Sequence, residues 1–156
     1  MKWIVASDLH IPDRKFKIPE WFYKIKELKP DLYAFLGDIT NLDVLEEFKP
    51  YIYVKGNMDP FDGIKVIVYE IGWDRILLMH GDWIKPREDF SQIANYAKLL
   101  HCNIVLTGHT HKKIIHKIDN ILHINPGSLT EDGTAFLIDF KKRKILDILD
   151  NKEIEF

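Results

Sequence analysis

The sequence predicts an α/β protein, with parallel strands in a three-layer or sandwich arrangement and later antiparallel strands completing a second sheet. Three observations carry this. Short apolar runs alternate with helical patterns through the first third of the chain. Each of the first runs is compact and continuously apolar, as in a buried strand. Past residue 111 the alternation stops, and strand-like runs follow one another with no helix between them.

Lys2-Trp3-Ile4-Val5-Ala6-Ser7 reads as the first buried strand, and Pro12 breaks the backbone ladder beyond it. Pro19 suits the first position of a helix whose apolar face is Ile18, Phe22, Ile25 and Leu28, with Pro30 as its stop. Leu32 to Leu36 is a second strand, a short helix follows around Asp43 to Phe48, and Tyr51 to Val54 is a third strand. Lys65 to Ile71 alternates as a strand does, and Arg75 to Met79 is another. Asp89 and Gln92 form a capping-box signature for a helix to about Leu100, with Phe90, Ile93, Ala94, Ala97 and Leu100 at helical spacing. Ile104 to Thr107, Ile114-Ile115, Ile121 to Ile124, Ala135 to Phe140 and Ile145 to Leu149 read as strands, with Gly127 and Gly133 in turns. Linkers, repeats and low-complexity segments are not visible, so residues 1–156 read as a single domain.

Composition narrows the function classes. The chain has 156 residues, 46% hydrophobic and 29% charged, which suits one domain with a real core. A formal net charge of −2 supplies no basic field for nucleic acid. The apolar segment Ile4-Val5-Ala6 is too short for a signal peptide, and no run approaches a membrane span. The single cysteine, Cys102, excludes an internal disulfide and reads as packing at the end of an apolar helix. The cytoplasm is the expected location.

The chemistry gathers at strand exits. In parallel α/β sheets the ligand crevice lies beyond the carboxyl ends of the strands. The first three strands end at Ser7-Asp8-Leu9-His10, Gly37-Asp38 and Gly56-Asn57-Met58-Asp59. Two later ones end at His80-Gly81-Asp82 and Gly108-His109-Thr110-His111. A His-x-His pair alone is a weak signal, since imidazoles are common in cores and on surfaces. Together Asp8, His10, Asp38, Asn57, His80, His109 and His111 make seven oxygen or nitrogen donors, too many for one catalytic ion with an open position. Two divalent ions sharing one carboxylate would use them. Mixed imidazole and carboxylate donors suit Mn, Fe, Ni, Co or Zn rather than Mg or Ca. The absence of a thiolate cluster argues against a structural zinc site.

In this order, Asp8-x-His10, Gly37-Asp38, Gly56-Asn57, His80-Gly81 and Gly108-His109-Thr110-His111 resemble the calcineurin-like metallophosphoesterase family. The length and Asn125-Pro126-Gly127-Ser128 resemble its small single-domain phosphodiesterase branch. The resemblance spans residues 8 to 128. It implies a two-sheet β sandwich flanked by helices, in α/β/β/α layers. It implies one ion on Asp8, His10, Asp38 and His111, and a second on Asp38, Asn57, His80 and His109, with Asp38 bridging. It also implies hydrolysis of a small phosphodiester by a metal-bridging hydroxide, with Asp38, Asn57 and His80 in the catalytic centre and manganese first among the candidate ions. Two divalent ions outweigh the charge of Asp8, Asp38 and a hydroxide, so an anionic ester is attracted.

Two positions depart from that pattern. Many family members have a His directly after Gly-Asn, taken to assist the leaving group; here it is Met58, whose thioether cannot donate a proton. A second His often follows His-Gly; here it is Asp82. Two other functions fit parts of the pattern: a phosphomonoesterase or nucleotidase, and a non-catalytic scaffold like the retromer subunit of the same fold. The scaffold's first motif resembles Asp8-Leu9-His10-Ile11-Pro12, but this chain keeps both Asp38 and Asn57. A mononuclear iron site would leave four of the seven donors unused. His123 could face the site or the core, while His101 and His116 read as structural or surface groups. Lys112, Lys113, Arg14, Lys85 and Arg87 read first as solvated cations, and Trp83 as a candidate pocket wall. The sequence leaves the oligomeric state open, a homo-oligomer included.

Overall fold

The structure, a computed structural model, describes residues 1–11 and 20–156. The break at Pro12, the helix start at Pro19, its apolar residue Ile18 and the cation Arg14 lie outside the described residues.

Two mixed sheets pack face to face. Strands β1 (Lys2–Ala6), β2 (Leu32–Phe35), β3 (Tyr51–Tyr53), β9 (Phe136–Asp139), β10 (Lys144–Asp147) and β11 (Lys152–Glu155) make the first, in the order β11-β10-β9-β1-β2-β3. Strands β4 (Val66–Ile71), β5 (Asp74–Met79), β6 (Ile104–Leu106), β7 (Lys113–Ile118) and β8 (Ile121–Pro126) make the second, in the order β4-β5-β6-β8-β7. The parallel core is β1-β2-β3 in one sheet and β5-β6-β8 in the other, and each of these strands but β8 leads into expected donors.

The late strands are shared out differently from the expectation. Only some of them complete the second sheet. β7 and β8 join the second sheet, whereas β9 to β11 return to the first, with β9 antiparallel to β1. A local pattern states that a segment is a strand; its partner is chosen by which sheet still has an open edge.

Side-chain parity explains why the runs read as continuously apolar. Trp3, Val5, Ala34 and Leu36 face Ile76, Leu78, Ile104, Leu106 and Ile124 in the core between the sheets. Their alternates Ile4, Ala6, Tyr33 and Phe35 pack outward against Phe22, Ile25, Leu45 and Phe48. On the other side, Leu77, Met79 and Val105 pack against Ile93, Ala94 and Ala97. The layers are therefore helix, sheet, sheet, helix, and both faces of each central strand are dry.

The helices are short. α1 covers Glu20–Lys24 and continues as a 3-10 turn over Ile25–Leu28; the segment Leu42–Glu47 is also 3-10. α2 spans Phe90–Leu99, with Asp89 accepting the Gln92 amide at 3.2 Å. The Gln92 side chain does not close the box on the Asp89 amide. It donates instead to Lys85 O at 2.7 Å and to Asp89 Oδ2 at 2.9 Å.

Candidate metal centre

Loops that leave the parallel strands are laced together before any side chain is considered. The Asp8 amide donates to Gly37 O at 3.1 Å and the His10 amide to Asp38 O at 2.9 Å, so the exits of β1 and β2 run on side by side. The Gly108 amide donates to His80 O at 3.1 Å and joins β6 to β5 in the same way. Gly108 has to be glycine: a Cβ there would overlap Ser7 Oγ and come within 2.9 Å of Leu36 O. The two sheets meet at this point, and only a bare Cα lets them.

Asp8, His10, Asp38, His109 and His111 all have positive φ, between 49° and 69°. Left-handed backbone is uncommon outside glycine and costs about 1–3 kcal/mol per residue. Leu9, between Asp8 and His10, is buried in the core against the outer helices while its neighbours turn to the crevice. Within the crevice loops, left-handed backbone falls on five of the seven donor-bearing residues and on Thr40.

The donors form two groups, each with its ligating atoms within 4.8 Å of one another: Asp8, His10 and His111, and Asp38, His80 and His109. Asp38 Oδ2 stands between them, 3.6 Å from His10 Nε2 and 3.2 Å from His80 Nε2. Asn57 Oδ1 lies 3.0 Å from His80 Nε2. All seven expected donors thus share one crevice.

The groups suit cations on the chemistry of their atoms. Asp8 is fully buried, and its Oδ1 accepts no hydrogen bond among the described residues. Around that oxygen lie His111 Nε2 at 3.4 Å, His10 Nε2 at 3.8 Å and His80 Nε2 at 4.0 Å. A buried carboxylate oxygen facing several imidazole nitrogens without a hydrogen bond is what a metal-binding donor set offers. The other oxygen, Oδ2, is anchored by the His109 amide at 3.0 Å.

Outer contacts orient these groups. His80 Nδ1 donates to Leu36 O at 2.7 Å, which points Nε2 at Asp38 and Asn57. Asp38 Oδ1 accepts the Met58 amide at 2.9 Å. His111 Nδ1 lies 2.6 Å from Glu131 Oε2. Burial pushes the Asp38 carboxyl up, but the His80 hydrogen bond and charge, with the Met58 amide and His10, outweigh it and hold the group below its usual value. Burial likewise opposes protonation of His80, yet Asp38 and Asp8, with Leu36 O, raise it to about 9. His109 is lowered, first by burial and then by His80 and Arg87. His111 is raised, first by the Asp8 carboxylate beside it and further by Glu131, against the opposing effect of burial.

Asp59 and Glu131 were not among the expected site residues. Asp59 is buried, and its carboxylate accepts the amides of Asp38 at 3.0 Å, Thr40 at 2.7 Å and Gly56 at 2.7 Å, binding the β2 and β3 exits together. Its position two residues past Asn57, in the same Gly-led turn, was a usable signal. Glu131 is 20 residues from His111 and gives no local one. The Asn125 to Ser128 turn braces the same loops: Asn125 Nδ2 donates to Gly108 O at 2.8 Å and Ser128 Oγ to Asp8 O at 2.9 Å.

Several open residues resolve away from the centre. Buried His123 lies 2.7 Å from Thr107 Oγ1 and 2.9 Å from His116 Nε2, alongside Phe90. Lys112 pairs with Glu88, and Lys113 with Asp147 and Asp150. Trp83 packs edge-on to Tyr96 of α2. The cavity beside His109 is walled instead by Ile84, Arg87 and Phe90. Cys102 is buried in the packing beneath α2.

Two donor groups, each able to hold a metal ion, thus stand at the joined exits of a layered sandwich. Comparison with known proteins supplies the class. The model of the calcineurin-like phosphoesterase superfamily domain matches residues 1–143, and the chain belongs to that family. It is 37% identical over 133 residues to a protein of Methanothermobacter thermautotrophicus described as a probable metallophosphoesterase, covering 81% of this chain and 76% of the relative. Vps29 of Entamoeba histolytica, solved in complex with zinc, superposes with a TM-score of 0.83 at 25% identity, covering 99% of this chain and 96% of that one. An archaeal phosphodiesterase shares the fold, with a TM-score of 0.66 at 22% identity over 100% of this chain and 99% of that one. Among the described residues no helix is long and apolar enough to cross a membrane.

Proposed function

We propose that the chain hydrolyses small phosphodiesters with two divalent ions. One would be held by Asp8, His10, Asp38 and His111, the other by Asp38, Asn57, His80 and His109. The observation that carries this reading is the place of Asp38 Oδ2 between the two donor groups. Such ions supply Lewis acidity and a water that ionises near neutral pH. Asp8 and Asp38 neutralise only part of their charge, so the site attracts an anionic ester. Manganese is the ion we place first, and the cytoplasm the compartment.

The residues set a limit on the leaving group. Met58 is 47% exposed at the mouth of the centre, its amide is committed to Asp38, and its thioether carries no proton to give. An alcohol leaving near this position departs without acid assistance from it. We expect aryl phosphodiesters to react much faster than alkyl ones, and equal rates in a matched series would refute this.

Metal analysis of the purified protein, with a bis-aryl phosphodiester assay across Mn, Ni, Co, Zn and Mg, tests the whole reading. Two ions per chain with turnover is the expected result. Asp38→Asn should then lose most of the activity, at least a hundredfold, while its circular dichroism stays unchanged. Full activity in that variant ends the shared-carboxylate role. The likeness to Vps29 favours a second reading, a protein-binding scaffold. Absence of turnover with every metal, together with stable binding of another protein, would select it.

A further inference from the structure

The two donor groups have different backing. Behind His80 stands a neutral carbonyl, Leu36 O, and the second histidine of that group, His109, borders a cavity lined by the cation Arg87. Behind His111 stands a carboxylate: Glu131 Oε2, 2.6 Å from Nδ1. The opposite edge of the same ring points into the other donors, with Nε2 3.4 Å from Asp8 Oδ1 and 3.3 Å from His10 Nε2.

Glu131 is placed by the backbone it serves. Its amide donates to Ser128 Oγ at 3.1 Å, and Ser128 Oγ donates to Asp8 O at 2.9 Å. Thr130 Oγ1 donates to Leu9 O at 2.8 Å. The turn after β8 is thus riveted to the Asp8-Leu9 backbone, between the other two donors of this group, and its carboxylate meets the third. A carboxylate that accepts the Nδ1 proton fixes the tautomer, leaves the Nε2 lone pair free for an ion and makes the ring a stronger donor.

We propose that Glu131 is a positioning residue for the ion site of Asp8, His10 and His111, and that it makes this the tighter of the two sites and the first to fill. The inference rests on reading the two donor groups as ion sites. It adds which group binds more strongly and the residue responsible. Loss of an outer carboxylate of this kind typically weakens metal affinity by about 10–100-fold. Glu131 is partly exposed, its side chain at 45%, so removing it leaves no hole in the core.

The test uses metal-free full-length protein, wild type and the variants Glu131→Ala, Glu131→Gln and Glu131→Asp. Each is titrated with Mn²⁺ against a fluorescent chelator, and separately with Co²⁺ while its visible absorption is recorded. Wild type should take up two ions in resolved steps. Glu131→Ala should weaken the first step by about 10–100-fold, alter the absorption of the first cobalt ion, and leave the second step unchanged. Glu131→Gln keeps an acceptor without the charge and should fall between the two, while Glu131→Asp should recover part of the loss. Unchanged affinities in Glu131→Ala overturn the proposal, and so does a lowered melting temperature with both steps intact, because Glu131 would then serve only the loop. A weakened second step with the first intact also overturns it. A wild type that binds no ion fails at an earlier point, the ion-site reading itself.

Discussion

His80 shows how the centre is prepared for a metal. Its imidazole is buried among carboxylates, and burial alone would keep it neutral. Asp38, hydrogen-bonded to it, and Asp8 reverse that and raise it to about 9, so the metal-free chain holds a proton there at neutral pH. A ligating histidine must be neutral, so an ion entering this group displaces the proton. Below pH 9 the apparent affinity of that site should fall about tenfold for each unit the pH drops. Calorimetry at pH 7.5 in buffers of different ionisation enthalpy should register proton release on binding, and affinities that do not change between pH 7 and 8.5 would contradict this. The His109 and His111 pair divides at the same scale. On the proposed two-ion reading, His109→Ala should weaken the ion of Asp38 and His80, and His111→Ala the ion of Asp8 and His10. Equal loss of both ions in each variant would deny the division.

Among the elements, α2 is the clearest agreement between pattern and packing. Ile93, Ala94 and Ala97 face β5 and β6, and the small residues let the helix lie close to the sheet. Asp89 caps its first turn by accepting the Gln92 amide. Asp89→Ala should cost about 1 kcal/mol in denaturant unfolding without changing the metal stoichiometry. A loss below a few tenths would mean that the cap is redundant with the Gln92 contacts. Other elements were less legible. The helical pattern around Asp43 to Phe48 closes as a 3-10 segment, whose Leu45 and Phe48 pack into the core against Tyr33 and Phe35 of β2. The strand Lys152–Glu155 has no apolar alternation to announce it: Lys-Glu-Ile-Glu is mostly exposed. It exists because β10 offers an open edge, and Lys144 and Glu153 pair across it.

Stability of the whole molecule should depend on pH through His123. Burial holds its imidazole at about 3, and the neighbouring His116 adds to the effect. In the unfolded chain the same group titrates near 6.5. Above 6.5 both states are neutral there and its contribution is intact. As pH falls below 6.5 the unfolded chain gains a proton that the native one refuses, and stability drains away until about pH 3. Between pH 7 and pH 5 this group alone should remove about 2 kcal/mol. His123→Gln should flatten that part of the unfolding profile, and an unchanged slope would place the acid sensitivity elsewhere.

At this scale too, what the chain states locally separates from what folding adds. The buried strands, the α2 helix and the seven donors at strand exits were readable because each depends on neighbours a few residues apart: an apolar run, a helical period, a glycine followed by a donor. Ordered motifs then pointed to the family. Only the tertiary structure decided which sheet received β9 to β11, how Asp8, His10, Asp38, His109 and His111 spend left-handed backbone to face one crevice, and how Asp59 and Glu131 join it. These depend on groups far apart in the chain. A carboxylate's value as an anchor is set by the amide or imidazole that folding brings against it, and no local pattern encodes that partner.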